Sequence, residues 1–280
     1  IKIDAVIHLA AISNDPMGQE FEKVTKEINQ DSSLKIAEIA IETGCKSFVF
    51  ASSCSVYGLG DDSPRNENDV LNPLTAYAKS KVGTEESLKK IKDFKNTSLT
   101  CLRFATACGF SPNLRLDLVL NDFVATALAS KKIKILSDGS PWRPLIDVED
   151  MSRALYWASI RGLGNQLEIV NAGSNLWNYQ ICDLAYEVQK LIGEDMEVSI
   201  NKDAAEDQRS YRVNFDKFIS MAGNYAPKVS LEESVKRLIN GIGIFSNRMT
   251  LEKRNYLLRL YNLRKLKSSK KIDENLRWIY

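Results

Sequence analysis

The chain has 280 residues, 44% hydrophobic and 26% charged, the composition of an ordinary globular protein of one large or two modest domains. This excludes a disordered or low-complexity chain, and no uncharged apolar run exceeds strand length, so no bilayer-spanning helix is expected. The net charge of +2 is too small to argue for a nucleic-acid partner, although nine Lys/Arg against three Asp/Glu in 251–280 put a basic tail on a slightly acidic body.

In chain order, the first predicted element is the strand 5–10, Ala-Val-Ile-His-Leu-Ala, an apolar run of the kind buried on both faces of a sheet. A helix is expected over 20–43, with Gly44 as its C-terminal glycine. A second apolar strand covers 47–52, and a loop rich in Gly, Asp, Pro and Asn covers 58–73. A helix over 77–92 and a strand over 99–104 follow. This alternation implies an α/β fold, a doubly wound parallel sheet with helices on both faces. Catalytic groups in such sheets gather at the carboxyl ends of the strands, here 10–13, 52–54 and 104–106.

Beyond Gly109 the elements shorten. A helix is expected over 117–129, strands over 133–136 and 167–171, and a helix over 180–192. Ser230 and Glu233 have capping-box spacing at the start of another helix. This half reads as a smaller substrate-facing lobe interleaved with the last strands of the sheet.

The five cysteines show no metal-ligand spacing, and His8 is the only histidine. No metal site is expected. His8, inside an apolar strand, reads as a satisfied core residue. Cys54 reads as a buried, inert thiol, because no histidine base accompanies it. Free thiols point to a reducing, cytoplasmic compartment.

The sharpest chemical signal is Tyr77 and Lys81, which lie one turn apart on the same helix face. An ammonium about 4 Å from a phenol, at an effective dielectric near 20, favours the phenolate by roughly 4 kcal/mol. That could lower the phenol pKa by up to about three units and poise Tyr77 as a general base or acid. Alone, such a pair arises often on helix surfaces. Ser53, at the end of the preceding strand, adds a hydroxyl that can hold the same substrate oxygen.

At this point the sequence resembles the extended short-chain dehydrogenase/reductases that act on nucleotide sugars. The resemblance runs through Asp4-Ala5-Val6-Ile7-His8-Leu9-Ala10-Ala11 and Ala51-Ser52-Ser53-Cys54-Ser55-Val56-Tyr57-Gly58. It continues through Tyr77-x-x-x-Lys81, Leu102-Arg103-Phe104, Trp142-Arg143-Pro144-Leu145-Ile146-Asp147-Val148-Glu149-Asp150 and Asp207-Gln208-Arg209-Ser210-Tyr211-Arg212-Val213. It implies a Rossmann domain in 1–110 with later strands from 111–175, a mainly substrate-binding lobe in 111–245, and a basic helical tail in 246–280. Leu257, Leu260 and Leu263 of the tail are expected to dock on the domain.

The resemblance also assigns roles. Ser53, Tyr77 and Lys81 match the catalytic triad. Leu9, Ala10, Ala11, Asn29, Ser52 and Phe104, with Tyr77 and Lys81, match positions lining the NAD site. Ser13, Ser53, Thr106, Asn121, Arg143 and Arg209 match positions facing a nucleotide-diphosphate sugar, the two arginines on its diphosphate. The implied partners are that substrate and a second copy of the chain in a homodimer; neither a membrane nor a nucleic acid is expected.

The implied reaction is a 4-epimerisation. Tyr77 takes a sugar hydroxyl proton while hydride leaves for NAD, and the keto-sugar takes the hydride back on its other face. The dehydratase branch carries an acidic pair after the strand-end Ser/Thr, where this chain has Cys54 and Ser55. A 3,5-epimerase, a reductase and a dehydratase stay as alternatives within the family. Thr106 stands where sugar 4-epimerases commonly have Asn. From another class, a scaffold binding RNA or a protein through the basic tail is the competing reading.

The family's opening Gly-x-x-Gly-x-x-Gly turn is not found among the 14 glycines. Ile1 stands just ahead of what matches the family's fourth strand, so about 60 further residues are expected upstream, at roughly 30 per βαβ unit. Alone, the 280 residues are expected to bind NAD poorly and to expose a sheet edge.

Overall fold

The computed structural model describes residues 2–60, 63–162, 164–201, 203–204, 209–246 and 257–279, the last three of 209–246 by backbone alone. Asp207 and Gln208 of the motif before Arg209, and 247–256 of the basic tail, lie outside the described residues.

Four strands form a wholly parallel sheet: β1 (Ala5–His8), β2 (Ser47–Ser53), β3 (Ser98–Phe104) and β7 (Leu167–Ala172), in the order β1-β2-β3-β7. Alternate residues of β2 face opposite ways, as a pleated strand requires. Phe48 and Phe50 pack with Ala37, Ala40 and Ile41 of α3 (Ser32–Glu42) and Leu88 of α4 (Ala76–Lys89). Val49 joins Leu102 and Val170 against Ala154, Trp157 and Ala158 of α6 (Val148–Ile160) and Phe218 of α8 (Asp216–Ala222). Helices thus cover both faces, and the structure is the doubly wound α/β fold expected.

One expectation fails at β1. Its apolar run implies burial on both faces, yet Ile7 and Leu9 are 43% and 56% exposed. Among the described residues β1 has one neighbour, β2, so it is an edge strand whose outer side chains lack cover. His8 is buried as expected, between the rings of Phe48 and Phe50.

The helix expected over 20–43 is four segments. Asn14 caps α1 (Asp15–Glu20), accepting from the Met17 N–H at 2.8 Å. The chain breaks at Phe21, resumes as α2 (Glu22–Lys26), passes through a π-helical turn (Glu27–Asp31) and continues as α3. The widened turn frees the Asn29 carbonyl, which accepts from the Ser33 and Thr84 hydroxyls at 2.7 and 2.9 Å. Gly44, at φ +74°, closes α3 as expected, with Cys45 N–H donating to Ala40 and Gly44 N–H to Ile41.

The remaining elements are β4 (Thr106–Cys108), α5 (Val119–Ser130), β5 (Lys132–Ile135), β6 (Trp142–Asp147), β8 (Asn178–Gln180), α7 (Ile181–Ile192), β9 (Glu197–Ile200), α9 (Leu231–Ser246) and α10 (Arg259–Ser268). β4, β6 and β8 form one small sheet; β5 and β9 form another. α5, α7 and α9 enclose a second core around Ile133, Leu120, Leu184 and Leu238. The capping box is present: Glu233 N–H donates to Ser230 Oγ at 3.2 Å and Ser230 N–H to Glu233 Oε2 at 3.1 Å. The docking expected of the tail also holds. Leu260 and Leu263 pack on Ile12, Met17, Phe21 and Val24, and Leu257 on the second core. Among the described residues no helix is long and apolar enough to cross a membrane.

Candidate active site

Parallel pairing sets the carboxyl ends of β2 and β3 side by side, with Ser53 opposite Phe104. There a cleft of about 1170 Å³ opens between the sheet and the second lobe. Its wall includes Ser53, Tyr77 and Lys81, and also Ser52, Phe104, Thr106, Asn121, Arg143, Arg209, Ser13, Leu9 and Ala11. The structure therefore brings together all but two of the residues singled out in the sequence. Ala10 does not line the cleft. Asn29 does not either: it is wholly buried, and its amide clips both backbone groups of Ile12, at 2.8 and 2.9 Å, and the Ser80 hydroxyl. Asn29 thus shapes the loop after β1 rather than the cleft surface.

Ser53 is extended and ends β2. Its oxygen accepts from the Ser55 N–H at 3.2 Å, which starts a tight turn, Cys54–Tyr57. The hydroxyl hydrogen stays free to donate, and the Ser53 hydroxyl acts on the Tyr77 phenol in the sense that favours its ionised form. Tyr77 lies in the first turn of α4. Thr75 caps that helix, accepting from the Ala78 N–H at 3.1 Å and donating to Asp15 at 2.7 Å. The other Asp15 oxygen pairs with Arg209 at 2.7 Å. A Cβ on Gly18 would meet the Tyr77 backbone nitrogen at 3.1 Å, so α1 seats tightly against the start of α4.

The electrostatics differ from the sequence expectation. Burial pushes the Tyr77 phenol up to about 12, despite the opposing effect of the Ser53 hydroxyl. Among nearby charges, Asp15 raises it further and Arg115 lowers it. Tyr77 and Lys81 do share a helix face, but the Lys81 ammonium donates to the Ala51 carbonyl at 2.7 Å and sits 4.6 Å over the Phe50 ring. Its distance to the Tyr77 ring centroid is 5.5 Å. Burial lowers Lys81 itself to about 8. Spacing puts both groups on one face; it does not say where the ammonium points or how dry the site is.

The depressed Lys81 has a measurable consequence. The unfolded chain keeps this proton to about 10.5 and the folded protein to about 8. Between those values the folded state binds fewer protons, so stability rises with pH; below about 8 both states are protonated and the burial penalty is fully present. We expect Lys81→Met to gain on wild type at pH 7 and to lose roughly 2–4 kcal/mol of that advantage by pH 10.5. Denaturant midpoints across this range check it; a pH-independent difference would contradict it.

Below the cleft floor runs a buried polar chain that sequence reading missed. Arg103 pairs with Glu85 at 2.7 Å, both essentially inaccessible to solvent. Ser52 donates to Glu85 at 2.5 Å, Arg103 donates to the Tyr57 oxygen at 3.0 Å, and Tyr57 donates to Asn171 at 2.7 Å. Cys54 is the buried thiol expected: it donates to the Arg103 carbonyl at 3.1 Å, and burial pushes its pKa up.

Elsewhere in the cleft, the Arg143 guanidinium lies 5.8 Å from the Tyr211 ring centroid, and Arg209 holds Asp15. The Asn121 amide is committed to backbone, clasping Gly109 and the Arg115 carbonyl. It positions Arg115 rather than offering a free amide. Arg115, Asp15 and Arg259 also line the cleft without having been singled out. No local pattern marks them, because they come from three distant parts of the chain.

The donor set can be tested against a dinucleotide cofactor. Lys81 is a buried ammonium with three N–H groups; among the described residues one carbonyl accepts from it. Lys81 borders a cleft that Leu9, Ala11 and Phe104 also line. Unspent cationic donors beside apolar side chains suit a ribose diol carrying a flat ring.

Comparison with known proteins agrees. The chain is 29% identical over 239 residues to a UDP-glucuronate 4-epimerase of Thermodesulfobacterium geofontis, covering 85% of this chain and 72% of that protein. It is 27% identical to a putative UDP-glucose 4-epimerase of Methanocaldococcus jannaschii, covering 85% of this chain and 76% of that one. A UDP-glucose 4-epimerase of Thermotoga maritima, solved with UDP-glucose, shares the fold with a TM-score of 0.75 at 24% identity, over 87% of this chain and 78% of that one. The model of the NAD dependent epimerase/dehydratase family matches residues 1–173, more than half of the chain. With its parallel sheet and the hydroxyl, phenol and ammonium at one strand end, the chain belongs to the NAD dependent epimerase/dehydratase family.

Proposed function

We propose that the protein is a nucleotide-sugar 4-epimerase that works through a transient keto-sugar. The observation that carries this reading is the meeting of Ser53, Tyr77 and Lys81 in one cleft that Arg143 and Arg209 also line. A sugar hydroxyl placed between Ser53 and Tyr77 accepts from Ser53 and donates to the phenol oxygen. Ser53 fixes that hydroxyl, and Tyr77 removes its proton and later returns it. Lys81 would hold the cofactor ribose through its spare N–H groups, with Leu9, Ala11 and Phe104 packing on the nicotinamide. NAD, when bound, supplies a two-electron acceptor for the carbon-bound hydrogen and a positive ring charge that favours the phenolate. Arg143 and Arg209 pair with the diphosphate, which anchors the nucleotide while the sugar turns.

Elimination of water is less well supported. It calls for a carboxylic acid beside Ser53, and positions 54 and 55 hold a buried thiol and a hydroxyl. The test is direct. The native gene product, incubated with NAD and a UDP-hexose, is expected to form the 4-epimer without accumulating reduced cofactor. A deoxy or unsaturated sugar as the product would overturn the reading.

A further inference from the structure

Three elements far apart in sequence set hydrogen-bond donors around one point of the cleft wall. Ser13 follows β1, Arg115 precedes α5, and Arg259 opens the C-terminal helix α10; all three line the cleft. Arg115 donates from Nη1 to Ser13 Oγ at 3.2 Å, and Arg259 donates from Nη1 to the same oxygen at 3.3 Å. Arg115 has a carboxylate partner, Asp117, at 2.6 Å, itself held by the Asn14 amide. For Arg259, the Ser13 hydroxyl is the one hydrogen-bond acceptor among the described residues. Its guanidinium is partly buried, and burial together with the Arg115 charge lowers its pKa.

Among the described residues, two guanidinium groups are held on one neutral oxygen and only Arg115 has a carboxylate bonded to it, an arrangement that an anion would relieve. Ser13 Oγ, accepting from both, keeps its own O–H to donate. Two planar cationic donors and a hydroxyl match the oxygens of a carboxylate. The position favours the sugar end of a substrate. Arg115 and Ser13 line the same cleft as Tyr77, and the Arg115 charge acts on the Tyr77 phenol. The helix that brings Arg259 is anchored: Leu260 and Leu263 pack on α1 and α2, and Arg264 pairs with Glu20 at 2.6 Å.

We propose that the C-terminal basic helix completes the substrate site, with Arg259, Arg115 and Ser13 binding a carboxylate on the sugar, so that the substrate is the nucleotide derivative of a sugar acid. This assignment rests on the nucleotide-sugar reading above. It gives the basic tail a task inside the cleft.

Calorimetric titration of the native protein with UDP-glucuronate, UDP-glucose and UDP tests it. Wild type is expected to bind UDP-glucuronate roughly tenfold or more tighter than UDP-glucose, the scale of a charge-assisted pair. Arg259→Gln is expected to abolish that preference while leaving UDP affinity unchanged, and Arg115→Gln to do the same should the first variant lose its fold. Equal wild-type affinity for the two sugars would overturn the assignment alone. So would an Arg259→Gln loss that is equal for all three ligands, because that marks a diphosphate contact. Failure of wild type to bind any of the three would overturn the nucleotide-sugar reading and this assignment with it.

Discussion

Tyr77→Phe is expected to lower turnover of the native protein by about 10²–10⁴, with KM little changed and the fold intact. The substitution keeps the ring and removes the hydroxyl. The ring contributes the packing: it is partly buried at the start of α4, against Gly18 of α1. The hydroxyl's interaction is with Ser53. Removing it deletes the proton acceptor in the transition state and leaves the anchors of the nucleotide in place, which is why kcat and not KM should carry the loss. Circular dichroism matching wild type, alongside the lost rate, would complete the result. Unchanged turnover would remove Tyr77 from the chemistry.

The second large effect is on stability. Arg103→Met leaves the Glu85 carboxylate buried without its partner and takes a donor from Tyr57. Breaking a buried pair on one side costs about 3–5 kcal/mol, a fall in melting temperature of roughly 5–9 °C for a chain of this size. The double variant Arg103→Met with Glu85→Leu should recover much of that, because no charge is then stranded. Glu85 also holds the Ser52 hydroxyl, one residue before Ser53, so the single variant should disturb the site as well as the fold. Thermal melts of the three proteins decide it; a single variant as stable as wild type would contradict the account.

The first third of the fold is legible because its chemistry is local. Apolar runs, the Gly44 stop and the Tyr77–Lys81 spacing each signal within a few residues. β1 misleads for a stated reason: an apolar run reports a strand, but its burial depends on neighbours that the run does not contain. The break at Phe21 and the π-turn at Asn29 are likewise hidden, since apolar periodicity continues through both and the Asn29 amide is satisfied by Ile12 from outside the helix. α6 and β6 were not anticipated as elements. Pro144 within the segment argues against a strand, yet β6 pairs there with only the short β8, Pro144 opposite Asn178.

The site divides in the same way. Ser53, Tyr77 and Lys81 were readable because two share a helix face and the third ends the neighbouring strand. Their protonation was not, because it is set by burial and by where the ammonium points. Asp15, Arg115 and Arg259 were invisible, since only folding brings Arg259 to Ser13 from 246 positions away.

The most direct test of the epimerase reading follows the hydrogen on the reacting carbon. Native protein with NAD is given UDP-glucuronate or UDP-glucose carrying deuterium at C4, and the product is read by NMR. We predict the 4-epimer with the deuterium retained at C4 and no net reduced cofactor, because the hydrogen leaves and returns within one closed site. A product epimerised with loss of the label, or one changed at a carbon other than C4, would contradict it.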